Sequence, residues 1–162
     1  MNRYGPTKTL CARILGFWLL LSLVGCADPK SAEEQIRQMV AQGEAAVEAG
    51  SLTEVGSLIS EDYRDEAGRT RRALEQLVAA YLLRHRSIHL LIQIHQIELE
   101  ASDDARMTLY VAMAGRPLAE AGQLLTVRAD LLRFDLELRR EEGQWRVTTS
   151  RWRRASREDF LN

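Results

Sequence analysis

Residues 88–99 read Ile88-His89-Leu90-Leu91-Ile92-Gln93-Ile94-His95-Gln96-Ile97-Glu98-Leu99, and their period decides the fold. Ile88, Leu90, Ile92 and Ile94 take every second position, which puts them on one face of an extended strand. Ile97 and Leu99 then continue on odd numbers. A strand keeps one apolar face across such a flip only where a residue is inserted, so a β-bulge is predicted near His95-Gln96. After the turn Ser102-Asp103-Asp104, Met107, Leu109, Val111 and Met113 alternate again. Leu125, Val127, Ala129 and Leu131 open a third strand, and Leu132, Phe134, Leu136 and Leu138 continue it in the opposite phase. That flip predicts a second bulge at Leu131-Leu132. Trp145, Val147 and Thr149 follow the turn Glu141-Glu142-Gly143 as a fourth strand. Four successive strands with short connections read as an antiparallel meander, bent by its bulges.

Upstream of Ile88 the period is helical. Ser31-Ala32-Glu33-Glu34 is a capping box, and Ile36, Met39, Val40, Gly43 and Val47 recur on one face up to Gly50. Ser51-Leu52-Thr53-Glu54 is a second capping box, opening a short helix with Leu52, Val55, Leu58 and Ile59. Thr70 caps a third helix that carries Leu74, Leu77, Val78, Tyr81 and Leu82. The fold class is therefore α+β: three N-terminal helices packed on a bent, bulged four-stranded antiparallel sheet, with a cone-like apolar interior.

The chain has 162 residues, a formal charge of −1, 46% hydrophobic and 28% charged residues, which fits one globular domain and excludes disorder. The near-neutral balance gives no electrostatic footprint for nucleic acid. The first 25 residues stand apart. Arg3, Lys8 and Arg13 precede the apolar run Ile14–Val24, which is too short to span a bilayer and has the anatomy of a secretory signal. Its loss takes the 22 basic residues to 19 against 23 acidic ones. Leu23-Val24-Gly25-Cys26 resembles the lipobox of bacterial lipoproteins. The resemblance implies cleavage before Cys26, lipidation of its thiol and amine, and attachment to the membrane through that lipid. Several acyl chains, at about 0.8 kcal/mol per buried methylene, anchor firmly. Cys11 leaves with the signal, so the remaining chain can form no internal disulfide. Ala27, not an aspartate, follows Cys26, which by the same resemblance points to the outer membrane of a Gram-negative envelope, facing the periplasm. The expected organisation is a signal at 1–25, a lipidated cysteine and tether at 26–30, an α+β domain at 31–155, and a C-terminal tail at 156–162.

The order of elements, together with Leu58-Ile59-Ser60-Glu61-Asp62-Tyr63-Arg64-Asp65 between the second and third helices, resembles the nuclear transport factor 2-like (SnoaL-like, cystatin-like) superfamily. That resemblance implies a cone which in some members is an active site and in others a binding or assembly surface. The inward set expected to line it is Ile92, Ile94, Leu109, Met113, Val127, Phe134, Trp145 and Val147, with Tyr63 and Tyr81. Such a lining suits a greasy ligand, and equally a filled core. Enzymes of this fold use an inward carboxylate, alone or with a histidine; alternation instead places Asp130, His89 and His95 on the outer face. His85 falls at the end of the third helix, and His85, His89 and His95 lack the spacing of a metal set. There is no phosphate-binding loop, and no cofactor is expected. Trp152 is out of phase with Trp145, so Trp152, Arg151 and Arg153 form the candidate contact for an envelope protein partner; the other reading is arginines that are merely solvated. The function expected is a non-enzymatic binding or accessory module for a small apolar ligand or an envelope protein. The alternative is a small isomerase- or hydrolase-type enzyme in which Asp130 or Asp62 turns inward.

Overall fold

The computed structural model describes residues 30–85 and 87–161; the expected signal segment, Cys26 and most of the expected tether lie outside them. Helix α1 spans Ala32–Glu48, α2 spans Leu52–Ser57 and α3 spans Arg71–Arg84. Each begins where the capping residues are. The hydroxyls of Ser31, Ser51 and Thr70 accept from the amides of Glu34, Glu54 and Ala73, satisfying donors that a first helical turn leaves free. α1 stops in a Schellman arrangement: Gly50, at φ 70°, donates to the Val47 carbonyl, and Ser51 donates to that of Ala46.

The strands β1 (His89–Leu99), β2 (Asp104–Ala114), β3 (Asp130–Glu141) and β4 (Gln144–Arg154) form one antiparallel sheet in sequence order. The first bulge is where the phase flips: Ile94 pairs with Leu109 and Gln96 with Thr108, leaving His95 as the extra residue. The second is not. β3 runs past Leu131-Leu132 in unbroken register with Ala112 and Val111, and the shift falls instead between β3 and β4, where Thr148 is the residue without a partner. The adjacent leucines have another cause, which is that both faces of the sheet are covered there. Leu132 faces the helices with Leu109, Phe134 and Leu136, while Leu131 packs on the opposite side with Tyr110, Ala112 and Val127. The third strand also starts later than its alternation predicts. Ala121–Leu125 is a 3-10 helix, and β3 opens only at Asp130.

Two apolar clusters follow from this. The larger lies between the sheet and the helices, around Ile36, Met39, Leu90, Met107, Leu109, Leu138 and Trp145. The smaller lies on the other face, where the loop residues Leu118, Leu124 and Val127 meet Tyr110 and Phe160. Phe160 belongs to a 3-10 turn, Glu158–Phe160, and is 3% exposed. The segment expected as a C-terminal tail, 156–162, packs onto this cluster through Phe160; a single aromatic among polar neighbours gives no periodicity to read.

The connection between α2 and α3 is fastened to the free edge of β4. Ser60 donates to the Val147 carbonyl, Val147 to that of Leu58, and Arg64 to that of Thr148. α3 differs from the other helices in that none of its residues is buried. It stands off the sheet, and the space beneath it is the site described next.

Candidate functional site

The inner face of the sheet and the three helices form a wide-mouthed apolar cavity of about 390 Å³. Of the residues expected to line it, Ile92, Leu109, Met113, Phe134, Val147 and Tyr81 do so. Ile94 and Trp145 pack into the cluster beside it without reaching its wall. Tyr63 is fully buried next to it, its hydroxyl sharing a short hydrogen bond with Ser150, which is a wall residue. Burial pushes the Tyr63 phenol up, and the Asp65 charge adds to this against the Ser150 bond. Val127 stands in the second cluster on the opposite face, because it precedes β3 and its place is set by the loop, not by strand alternation.

Trp152, expected on the outer face, lies in the cavity wall. The unpaired residue Thr148 shifts the phase of β4, so Trp152 comes opposite Phe134, with ring centroids 6.3 Å apart. The Arg69 guanidinium covers the tryptophan at 4.5 Å from the ring centre. Arg69 is itself held by the Asp65 carboxylate, which accepts from its side chain and, at 2.8 Å, from its amide. Burial works to raise the Asp65 carboxyl, but the Arg69 bonds and charge outweigh it and hold the group below the usual carboxylate range. Arg151 and Arg153 are exposed; Arg151 comes within 3.7 Å of Glu66, and Arg153 donates to the Arg154 carbonyl. The three expected contact residues therefore do not form one patch: the tryptophan points in and the arginines out.

The other end of the cavity is polar. Because β3 has no bulge at Leu131-Leu132, Asp130 keeps the phase of Leu132 and Phe134 and pairs with Met113. It thus takes the inner-face phase at the very start of the strand, contrary to the outward position read from Val127 and Leu131, and is exposed there, as an end-of-strand carboxylate. Tyr81 belongs to both the cavity and an adjoining cleft of about 250 Å³ that Asp130, His85, Ser87 and Arg128 help to form. Burial pushes the Tyr81 phenol up, and the nearby Asp130 charge pushes it the same way. His85 stacks on the Tyr81 ring at 4.2 Å. Sequence reasoning missed Tyr81–Asp130 as a pair; the signal was the even numbering that Asp130 shares with Leu132 and Phe134.

The remaining candidates are elsewhere. His95 meets Tyr110 edge-on at the bulge, on the face away from the helices. His89 sits 3.8 Å from Glu48 and bonds Ser87. Asp62 is exposed. Among the described residues no group of histidine, cysteine, aspartate or glutamate could hold a metal ion, and no helix is long and apolar enough to cross a membrane. One wall residue was not singled out from the sequence. Glu44, on α1, lines the cavity, and burial, with the Glu48 charge in support, pushes its carboxyl up.

A family model described as a SnoaL-like domain matches residues 30–151. No curated protein matches the chain. Among solved structures, the chain is similar to a provisionally assigned scytalone dehydratase from Novosphingobium aromaticivorans DSM 12444: 17% identity, TM-score 0.62, covering 75% of this chain and 83% of that one. It is also similar to an NTF2-like protein of unknown function from Shewanella oneidensis MR-1, at 15% identity and TM-score 0.56, covering 75% of this chain and 98% of that one. The third is Bd1075 from Bdellovibrio bacteriovorus, at 10% identity and TM-score 0.60, where 75% of this chain spans 40% of that one. At these identities the likeness shows the fold alone.

Proposed function

The chain belongs to the SnoaL-like domain family, and on the geometry of its cavity we propose that it is a ligand-binding envelope lipoprotein. One observation carries the binding reading. A cavity of about 390 Å³, walled by leucine, isoleucine, valine, methionine, phenylalanine and tryptophan side chains, is left unfilled by the domain's own packing. An apolar surface of this extent left open to water gains by being covered, which is what an apolar ligand would do. The volume lies in the range of roughly 300–1,000 Å³ typical of small-molecule sites. The ligand class that fits is a small, largely apolar molecule. The helix above it, α3, has no buried residue, which leaves an entry that does not require opening the core.

The anchor comes from the sequence. The basic segment, the apolar run and Leu23-Val24-Gly25-Cys26 support lipidation at Cys26 and a place in the cell envelope, at the outer membrane facing the periplasm. Such an anchor keeps the cavity near the bilayer, where apolar molecules are concentrated. Cys26→Ser should release the chain from the membrane fraction and abolish lipid labelling; a variant that stays in the membrane would sink this part. The binding part is tested with the fluorescence of Nile red, which brightens in apolar sites. Saturable binding that Val147→Trp removes is expected, because the larger ring would fill the cavity. Unsaturable binding, or no change with Val147→Trp, would reject it.

A second reading rests on Asp130. A carboxylate whose charge acts on a cavity-lining phenol is the kind of neighbour that proton transfer uses, which supports a small isomerase- or hydrolase-type enzyme as the second reading. In that case Asp130→Asn would stop turnover of a bound molecule without releasing it.

A further inference from the structure

The cavity wall also sets which polar group its ligand carries, an inference that rests on the binding reading above. β4 brings one hydroxyl to this apolar wall. Beyond the unpaired Thr148, Ser150 pairs with Leu136 and Trp152 with Phe134. Paired residues share a face, so Ser150 stands on the inner face with these three wall residues. It is 5% exposed. Behind it is Tyr63, 0% exposed and not itself in the wall, and the two hydroxyls share one hydrogen bond.

Two hydroxyls hold two protons, and their shared bond uses one. The phenol is the stronger acid, and burial keeps its proton on at neutral pH, so Tyr63 donates and Ser150 accepts. The serine proton is left over. Among the described residues neither hydroxyl has another hydrogen-bond partner, and the side chains around Ser150 in the wall, Val147, Leu136 and Trp152, hold no acceptor. A buried donor without an acceptor is costly, so an oxygen brought by the ligand makes a bond that the fold leaves open. The charge of that oxygen is constrained too. Arg69 is held by Asp65 and Arg151 lies against Glu66, so the cations that border Ser150 already face acids. A bound carboxylate would give up its water for cations that are matched. An alcohol would bring a further proton into an apolar wall.

We propose that Ser150 is the specificity-determining donor of the cavity, its hydroxyl proton going to the carbonyl oxygen of a neutral ligand whose hydrocarbon lies against Leu109, Phe134 and Val147. The ligand class that this chemistry recognises is an apolar ketone or ester, not a fatty acid, an alcohol or a bare hydrocarbon.

Residues 31–162 form one compact unit, with both apolar clusters and all four strands inside it, so the test can use this unit without the expected signal. The probes are butyrophenone and butylbenzene, which share a carbon skeleton and differ only where a carbonyl replaces a methylene. Each is titrated against bound Nile red at neutral pH, in the parent and in Ser150→Ala. The substitution is expected to weaken butyrophenone by about fivefold, as the loss of one neutral hydrogen bond gives, and to change butylbenzene by less than about twofold. The infrared band of the butyrophenone carbonyl supplies a second readout. Bound to the parent it should lie below its position in hexane, and in Ser150→Ala it should return there. The parent spectrum decides alone if the variant does not fold. A parent band at the hexane position, or an equal loss for both probes in Ser150→Ala, overturns the inference while the binding reading stands. Failure of both probes to displace, with no saturable dye binding, overturns both.

Discussion

Replacing Phe160 with alanine tests whether the turn after β4 is part of the core. The ring is 3% exposed, lies 5.7 Å from that of Tyr110, and packs with Ala112, Leu118, Leu124 and Val127. A phenylalanine of this kind removes about 150–250 Å² from water, or about 4–6 kcal/mol as an upper bound. Measured core truncations of this type cost about 3–5 kcal/mol. Glu158–Phe160 lies outside the sheet, so local release of the turn, without parting any strands, limits the loss to the lower figure. About 3 kcal/mol, at roughly 4 °C per kcal/mol for a domain of this size, lowers Tm by about 12 °C. Leu161, its neighbour, is 50% exposed, and Leu161→Ala should shift Tm by less than about 2 °C. Thermal melts of the two variants by circular dichroism decide the matter. A Tm drop below about 4 °C for Phe160→Ala would refute the packing argument and return residues 156–161 to the status of a tail.

Glu142 occupies the hairpin turn at φ 52°, beside Gly143 at φ 80°. Glu142→Asn should raise stability by up to about 1 kcal/mol, seen as a higher urea midpoint, because the left-handed region suits asparagine before glycine. Glu44 has its carboxyl pushed above the ordinary value of 4.5, so its ionised form is disfavoured in the folded state. Its contribution is therefore lost as pH rises past that value, and Glu44→Gln should melt higher than the parent at neutral pH, with the gap closing below about pH 4. Asp130→Asn should let the Tyr81 phenol titrate at lower pH, read by NMR of carbon-labelled tyrosine, since Asp130 now holds it up. An unchanged Tyr81 titration would show that the two groups do not interact.

The fold was legible because its signals are local. Three serine or threonine caps mark three helices, and each makes the hydrogen bond its position implies. The bulge at His95 could be read because His95 and Gln96 are exposed and polar where the phase flips, so the change in numbering there has one meaning. The same reasoning failed at Leu131-Leu132. With the second cluster present, both faces of β3 are covered there, and a double leucine needs no extra residue. Nothing in the alternation reveals that second cover, since it comes from a loop and from Phe160, which are remote in sequence and carry no period.

The two errors of facing in the site, at Asp130 and Trp152, descend from that one misplacement. Moving the bulge from β3 to Thr148 of β4 reverses the facing of the residues beyond each point. Asp130 turns inward, and Trp152 turns inward with it. The apolar middle of the site, Leu109, Met113, Phe134 and Val147, was unaffected, because those residues lie on the side of each bulge where the numbering was read correctly. Chemistry in this domain therefore depends on strand register as much as on residue identity. The same aspartate would face away from Tyr81 in one register and, in the register observed, stands exposed beside that phenol at the mouth of an apolar cavity. An insertion of one residue between Leu131 and Leu132 would supply the bulge that is missing there. It would turn Asp130 away from Tyr81 while leaving Phe134 in the wall, separating the polar end of the site from its apolar floor in a single change.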